Sequence, residues 1–93
     1  TSLLIVPGIG KGVDWAKGSL PAGGGMAEVS WDYKPQRFTL TLRLPACVKA
    51  RVALPRKVHD IYALNFAGAP PPDRIDCVGN VRIQVMPGIW TKE

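Results

Sequence analysis

Between Met26 and Leu44 the chain alternates apolar and polar residues twice over, with a proline-bearing break between the two runs, and this constrains the fold more than any other feature. Ala27, Val29, Trp31 and Tyr33 fall on one side of an extended chain, and Glu28, Ser30 and Asp32 on the other, because successive strand side chains point to opposite faces. After Lys34, Pro35 and Gln36 the pattern resumes, with Phe38, Leu40, Leu42 and Leu44 inward and Arg37, Thr39, Thr41 and Arg43 outward. Two half-buried strands joined by a short turn read as an antiparallel hairpin.

Further strands follow by the same rule. Ala50, Val52 and Leu54 alternate with Lys49, Arg51 and Ala53, and Pro45 and Pro55 close their runs where no ladder donor is needed. Val58 to Phe66 reads as another strand, with Tyr62, Leu64 and Phe66 on one side and Ile61 and Ala63 on the other. It is apolar on both faces, as in a central strand or one that changes sheet. Gly68 to Asp73, with Pro70, Pro71 and Pro72 in succession, reads as an extended loop crossing between sheets. Val81, Ile83 and Val85 alternate with Arg82 and Gln84, then Pro87 and Gly88 turn the chain into Ile89 and Trp90.

At the other end, Ser2 to Val6 is a short apolar run stopped by Pro7 and Gly8. Gly10 to Gly25 holds six glycines around Trp15, and Leu20 to Gly25 reads as loop. Seven or eight short strands at spacings of about 8–12 residues define the expected fold class: all-β, an antiparallel β-sandwich. No internal repeat is visible.

A chain of 93 residues is one domain, and it buries only about 60–65% of its unfolded surface, enough for a thin core but not for a deep pocket with a packed shell. Residues 1–93 are expected to form a single domain, and Thr1 in place of an initiator methionine reads as a domain excised from a longer polypeptide or left after processing. Apolar residues at 46% and charged residues at 20% belong to a folded domain, not a disordered tail. Gly 10 and Pro 9 exceed the usual share and disfavour long helices. No run reaches the ~18 apolar residues of a membrane helix, so no membrane partner is expected.

The formal charge of +5 is unevenly placed: seven basic residues and no acid lie between Lys34 and Lys57. A basic stripe can attract a polyanion. Arg37 and Arg43, however, alternate with Phe38, Leu40, Leu42 and Leu44, which places them on a solvated strand face. That reading is preferred, and no nucleic-acid partner is expected.

No catalytic constellation emerges. The one histidine, His59, precedes Asp60, and strand neighbours point apart, so the pair cannot serve one site. Glu28 and Asp32 share a face, yet four residues of strand separate them by about 13 Å, beyond the ~5–10 Å that glycoside hydrolysis uses. Cys47 and Cys77 lack C-x-x-C spacing; their pairing stays open, and neither a metal nor another cofactor is expected. GIGKG and GGG lack the GK[ST] ending and the helix of a phosphate loop. Aromatic rings remain as a ligand platform. Trp31 and Tyr33 belong to the core face, whereas Trp15 and Trp90 lie near turns and are the candidate contacts with carbohydrate or a neighbouring domain.

The segment Gly25-Met-Ala-Glu-Val29-Ser30-Trp31, then Phe38 to Pro45, then Ala50-Arg-Val-Ala-Leu-Pro55, resembles the C-terminal domain of bacterial α-L-rhamnosidases. Ile5-Val-Pro7 and Lys17-Gly-Ser19 are similar to that family's approach to the glycine, and Val81 to Trp90 to its closing strand, turn and final aromatic. The resemblance implies a β-sandwich beside an (α/α)₆ barrel that hydrolyses terminal α-L-rhamnose with inversion. The catalytic carboxylates belong to the barrel, and none maps onto this chain. The expected function is therefore a non-catalytic accessory domain of an α-L-rhamnosidase-like glycoside hydrolase, partnered by the catalytic domain of the same polypeptide. The alternatives are an autonomous carbohydrate-binding module and an immunoglobulin-like protein-interaction domain.

Overall fold

A computed structural model describes residues 2–8 and 14–93. Along the chain it contains β1 (Ser2–Ile5), β2 (Trp15–Ala22), β3 (Gly25–Lys34), β4 (Arg37–Arg43), β5 (Lys49–Ala53), α1 (Arg56–Ala63), β6 (Arg74–Val78), β7 (Asn80–Met86) and β8 (Ile89–Lys92). The strands form a three-stranded sheet in the order β1-β5-β6 and a five-stranded sheet in the order β2-β3-β4-β7-β8. The expected all-β sandwich is thus observed, with the β1–β5 pair parallel and every other pair antiparallel.

The Met26–Leu44 pattern forms the hairpin that the alternation predicts, with Trp31 opposite Leu40 and Tyr33 opposite Phe38. Phe38, Leu40 and Leu42 of β4 meet Val81, Ile83 and Val85 of β7 within the large sheet, and Ala50, Val52, Ile75 and Cys77 come from the small one. All belong to one buried cluster. Each fully buried large apolar side chain contributes about 1.5–3 kcal/mol by leaving water.

Two of the corners at which the chain changes sheet, β4 to β5 and β6 to β7, lie together. After β4, Val48 N donates to Pro45 O (3.3 Å), closing a turn in which Cys47 takes a left-handed φ of 66°. Between β6 and β7 a single residue, Gly79 at φ 71°, makes the second corner. Leu44 N donates to Gly79 O (3.2 Å) and ties the two.

Several expectations are corrected. Val58 to Phe66 is not a strand: α1 covers Arg56–Ala63, and Val58, Ile61 and Tyr62 share its buried face at i, i+3, i+4 spacing. Two turns of helix are marginal in isolation, and α1 has basic residues where its N-terminal dipole favours acids. Packing on β7 and β4 therefore decides the conformation. The proline loop returns the chain to the sheet it left, because β5 and β6 are partners. It does not cross between sheets, and Pro71 within it is buried.

Leu20 to Gly25 is not a loop either. β2 runs to Ala22, Gly25 opens β3, and only Gly23 and Gly24 turn, with φ of 56° and 84° as a type I′ hairpin requires. Pro21 is tolerated because β2 is an edge strand. The sequence reading also omitted β6, whose Ile75 and Cys77 alternate inward.

α1 is fastened to the β7–β8 turn by Gly88 N donating to Tyr62 O (3.1 Å). Gly88 has φ 75°, and a Cβ there would collide with the backbone carbonyl of Asn65. Gly88→Ala is expected to cost about 2–3 kcal/mol through strain and displacement of the 65–67 segment, read as a lower urea midpoint.

Candidate functional site

Cross-strand register builds the outer face of the large sheet in rows. Trp15, Asp32, Thr39, Gln84 and Thr91 form one row, and Lys17, Ser30, Thr41 and Arg82 the next. Beyond them Ser19, Glu28 and Arg43 align. Trp15 stands at the edge with 65% of its surface exposed, and its indole N–H has no protein acceptor among the described residues.

Two open troughs cross this face. One, of about 480 Å³, is lined by Lys17, Ser19, Glu28, Ser30, Thr41 and Arg43; the other, of about 270 Å³, runs past Trp15, Asp32 and Thr39 and shares Lys17, Ser30 and Thr41 with the first. Asp32 lies 3.9 Å from Lys34 Nζ, and Arg82 donates to Glu93 at 2.8 Å, so these charges are partly paired at the surface. The combination of one exposed ring, hydroxyls and balanced charge can hold a polar ligand by stacking and hydrogen bonds.

The outer face of the small sheet is different. A cleft of about 660 Å³ is lined by Leu4, Lys49, Arg51, Asp76 and Val78. Arg51 Nε donates to Asp76 Oδ1 at 2.8 Å, and Lys92 Nζ donates to Asp76 O at 2.6 Å. The hydrogen bond from Arg51, and its charge, hold the Asp76 carboxyl below the usual carboxylate range, with smaller help from Lys92 and Lys49.

The two tryptophans read from the sequence are not brought together. Trp15 is exposed on β2, whereas Trp90 on β8 packs against the core and donates its indole N–H to Ala69 O (3.2 Å). The other residues of the Trp15 face, Lys17, Ser30, Asp32, Thr39 and Thr41, were missed as a group because β2 was not read as the partner of β3. The outward alternation of β3 and β4 was the available signal.

His59 and Asp60 diverge as helix neighbours, not as strand neighbours. Asp60 accepts from Arg56 at 3.4 Å, and His59 Nε2 lies 3.3 Å from Asp73 Oδ1 without the alignment of a hydrogen bond. Cys47 and Cys77 are both free thiols. Among the described residues no three of His, Cys, Asp and Glu gather as metal ligands would. The basic run from Lys34 to Lys57 is dispersed: Arg37 and Arg43 lie on the large sheet's outer face, Lys49 and Arg51 on the small sheet's, and Arg56 and Lys57 on α1.

Fold and faces together define a β-sandwich module with an apolar interior, a polar outer face on the large sheet and a mixed one on the small sheet, where Leu4 and Val78 are exposed. Residues 1–64 match the family described as the bacterial alpha-L-rhamnosidase C-terminal domain, and the chain belongs to that family. The match runs from β1 through α1, so the likeness read in Val81 to Trp90 lies outside it. No curated protein and no solved structure matches the chain.

Two predictions follow from the side chains. Burial raises the Cys77 thiol pKa, with Lys92 opposing and Asp76 assisting, whereas Cys47 is exposed. A thiol reagent at neutral pH should therefore titrate one cysteine quickly in the native protein and the second only on unfolding. For Asp76 the folded pKa is depressed, so its contribution is complete above the unfolded value of about 4 and is lost as pH falls through the folded value. Asp76→Asn should lower the urea midpoint slightly at pH 7, and the difference from the parent should vanish in strong acid.

Proposed function

We propose that this domain is the non-catalytic accessory domain of an α-L-rhamnosidase-type glycoside hydrolase, where it flanks and stabilises the catalytic domain of the same polypeptide. The observation that carries this reading is the family match over β1 to α1, which spans both sheets of the sandwich.

The surface supports it. Leu64, Phe66 and Ile89 are exposed at the junction of α1 with the β7–β8 turn, the kind of apolar surface that contacts between domains cover. The reading assigns hydrolysis to the neighbouring domain: Glu28 and Asp32, the carboxylates aligned on β3, are separated by four residues of strand and do not flank one bond.

The test uses the longer polypeptide with and without this domain. Its removal should lower the unfolding midpoint of the catalytic domain by about 5 °C or more, while KM for an aryl α-L-rhamnoside stays nearly unchanged. The isolated 93-residue chain should not hydrolyse that substrate. An unchanged midpoint would reject the stabilising role, and turnover by the chain alone near the ~10 s⁻¹ of an ordinary enzyme would reject the non-catalytic one.

A further inference from the structure

We infer that the outer face of the five-stranded sheet, centred on Trp15, is a binding site for a neutral oligosaccharide. This goes beyond the stabilising role and stands on a different surface, so either can fail without the other.

The case begins with Trp15. An indole that is 65% exposed, outside the core cluster and without a protein acceptor among the described residues, contributes nothing visible to the sandwich. It nevertheless occupies an ordered place in the ladder, opposite Asp32 on β3. A sheet edge offers no reason to keep a large ring in water, whereas a pyranose ring supplies an apolar face of C–H groups that stacks on such a platform.

What surrounds the ring has the other half of the chemistry. A sugar that stacks by one face projects hydroxyls sideways, each able to donate and accept. Beside Trp15 the trough offers Asp32 as acceptor, Lys17 as donor, and Ser30, Thr39 and Thr41 as both. These side chains stand on three paired strands, so the ladder fixes their spacing. The trough continues past Lys17 towards Glu28 and Arg43, giving a length for more than one sugar unit.

Charge selects the ligand class. Four charged side chains line the two troughs, Lys17 and Arg43 against Glu28 and Asp32, and their signs balance. A polyanion would gain from the cations and lose to the carboxylates, while a neutral polyol can use all four. Of the other cations on this sheet, Lys34 lies beside Asp32 and Arg82 is paired with Glu93, while Lys49, Arg51, Arg56 and Lys57 belong to the small sheet and α1.

The experiment is an NMR titration of the ¹⁵N-labelled 93-residue chain, in which the three indole N–H signals report separately. The probes are methyl α-L-rhamnopyranoside, a neutral galacto-oligosaccharide and, as the acidic arm, polygalacturonate. With at least one neutral probe the Trp15 signal should move saturably while that of Trp90, held by Ala69 O, stays. Trp15→Ala should weaken binding about tenfold or more with an unchanged melting temperature, since the ring is outside the core. Thr41→Val, which keeps the shape of the face and removes a hydroxyl, should weaken it severalfold.

The inference is overturned if no neutral probe moves the Trp15 signal saturably at millimolar concentration. It is equally overturned if Trp15→Ala binds as tightly as the parent, or if only polygalacturonate binds and salt abolishes the effect.

Discussion

No charged side chain is buried among the described residues, and the core is apolar apart from the hydroxyl of Tyr62. Stability therefore depends on keeping the inward half of each strand dry. Phe38, Leu40 and Leu42, set against Val81, Ile83 and Val85 in register, provide the central rows, and the small sheet and α1 close over them. The ion pairs lie at the surface, with Arg51 and Asp76 both largely exposed, and can adjust the balance only slightly. Charged side chains among the described residues are confined to the outside, which is where the candidate site is found.

The legible and illegible parts of the fold separate along a physical line. β3 and β4 could be read because one face of each meets solvent, which forces a period of two onto the sequence. α1 could not, since Val58, Ile61 and Tyr62 fit a helical face while the same segment is apolar and β-branched enough to suit a strand. Only the space over β7 and β4 distinguishes the two, and that space is created by distant residues. β2 was hidden for another reason: Gly18, Pro21 and the paired glycines resemble loop chemistry, and an edge strand tolerates them because half its backbone needs no partner.

The candidate site was legible to a similar, partial extent. Trp15 was identifiable as a ring near turns, but its neighbours come from β3 and β4, and only the β2–β3 register gathers them. Trp90 drew the same reading and occupies a different environment, with its ring on the core and its N–H on Ala69. The basic run shows the converse. Residues close in sequence are distributed over two faces and a helix, because the chain passes from one sheet to the other within that run.

Gly79 bears on how the two layers can move. One residue joins β6 to β7, and Leu44 N–H donates to its carbonyl, so at this corner the two sheets are tied both by the chain and by a hydrogen bond. The edges of the two layers that meet there are therefore held at a fixed offset, and any opening of the sandwich has to start at another edge.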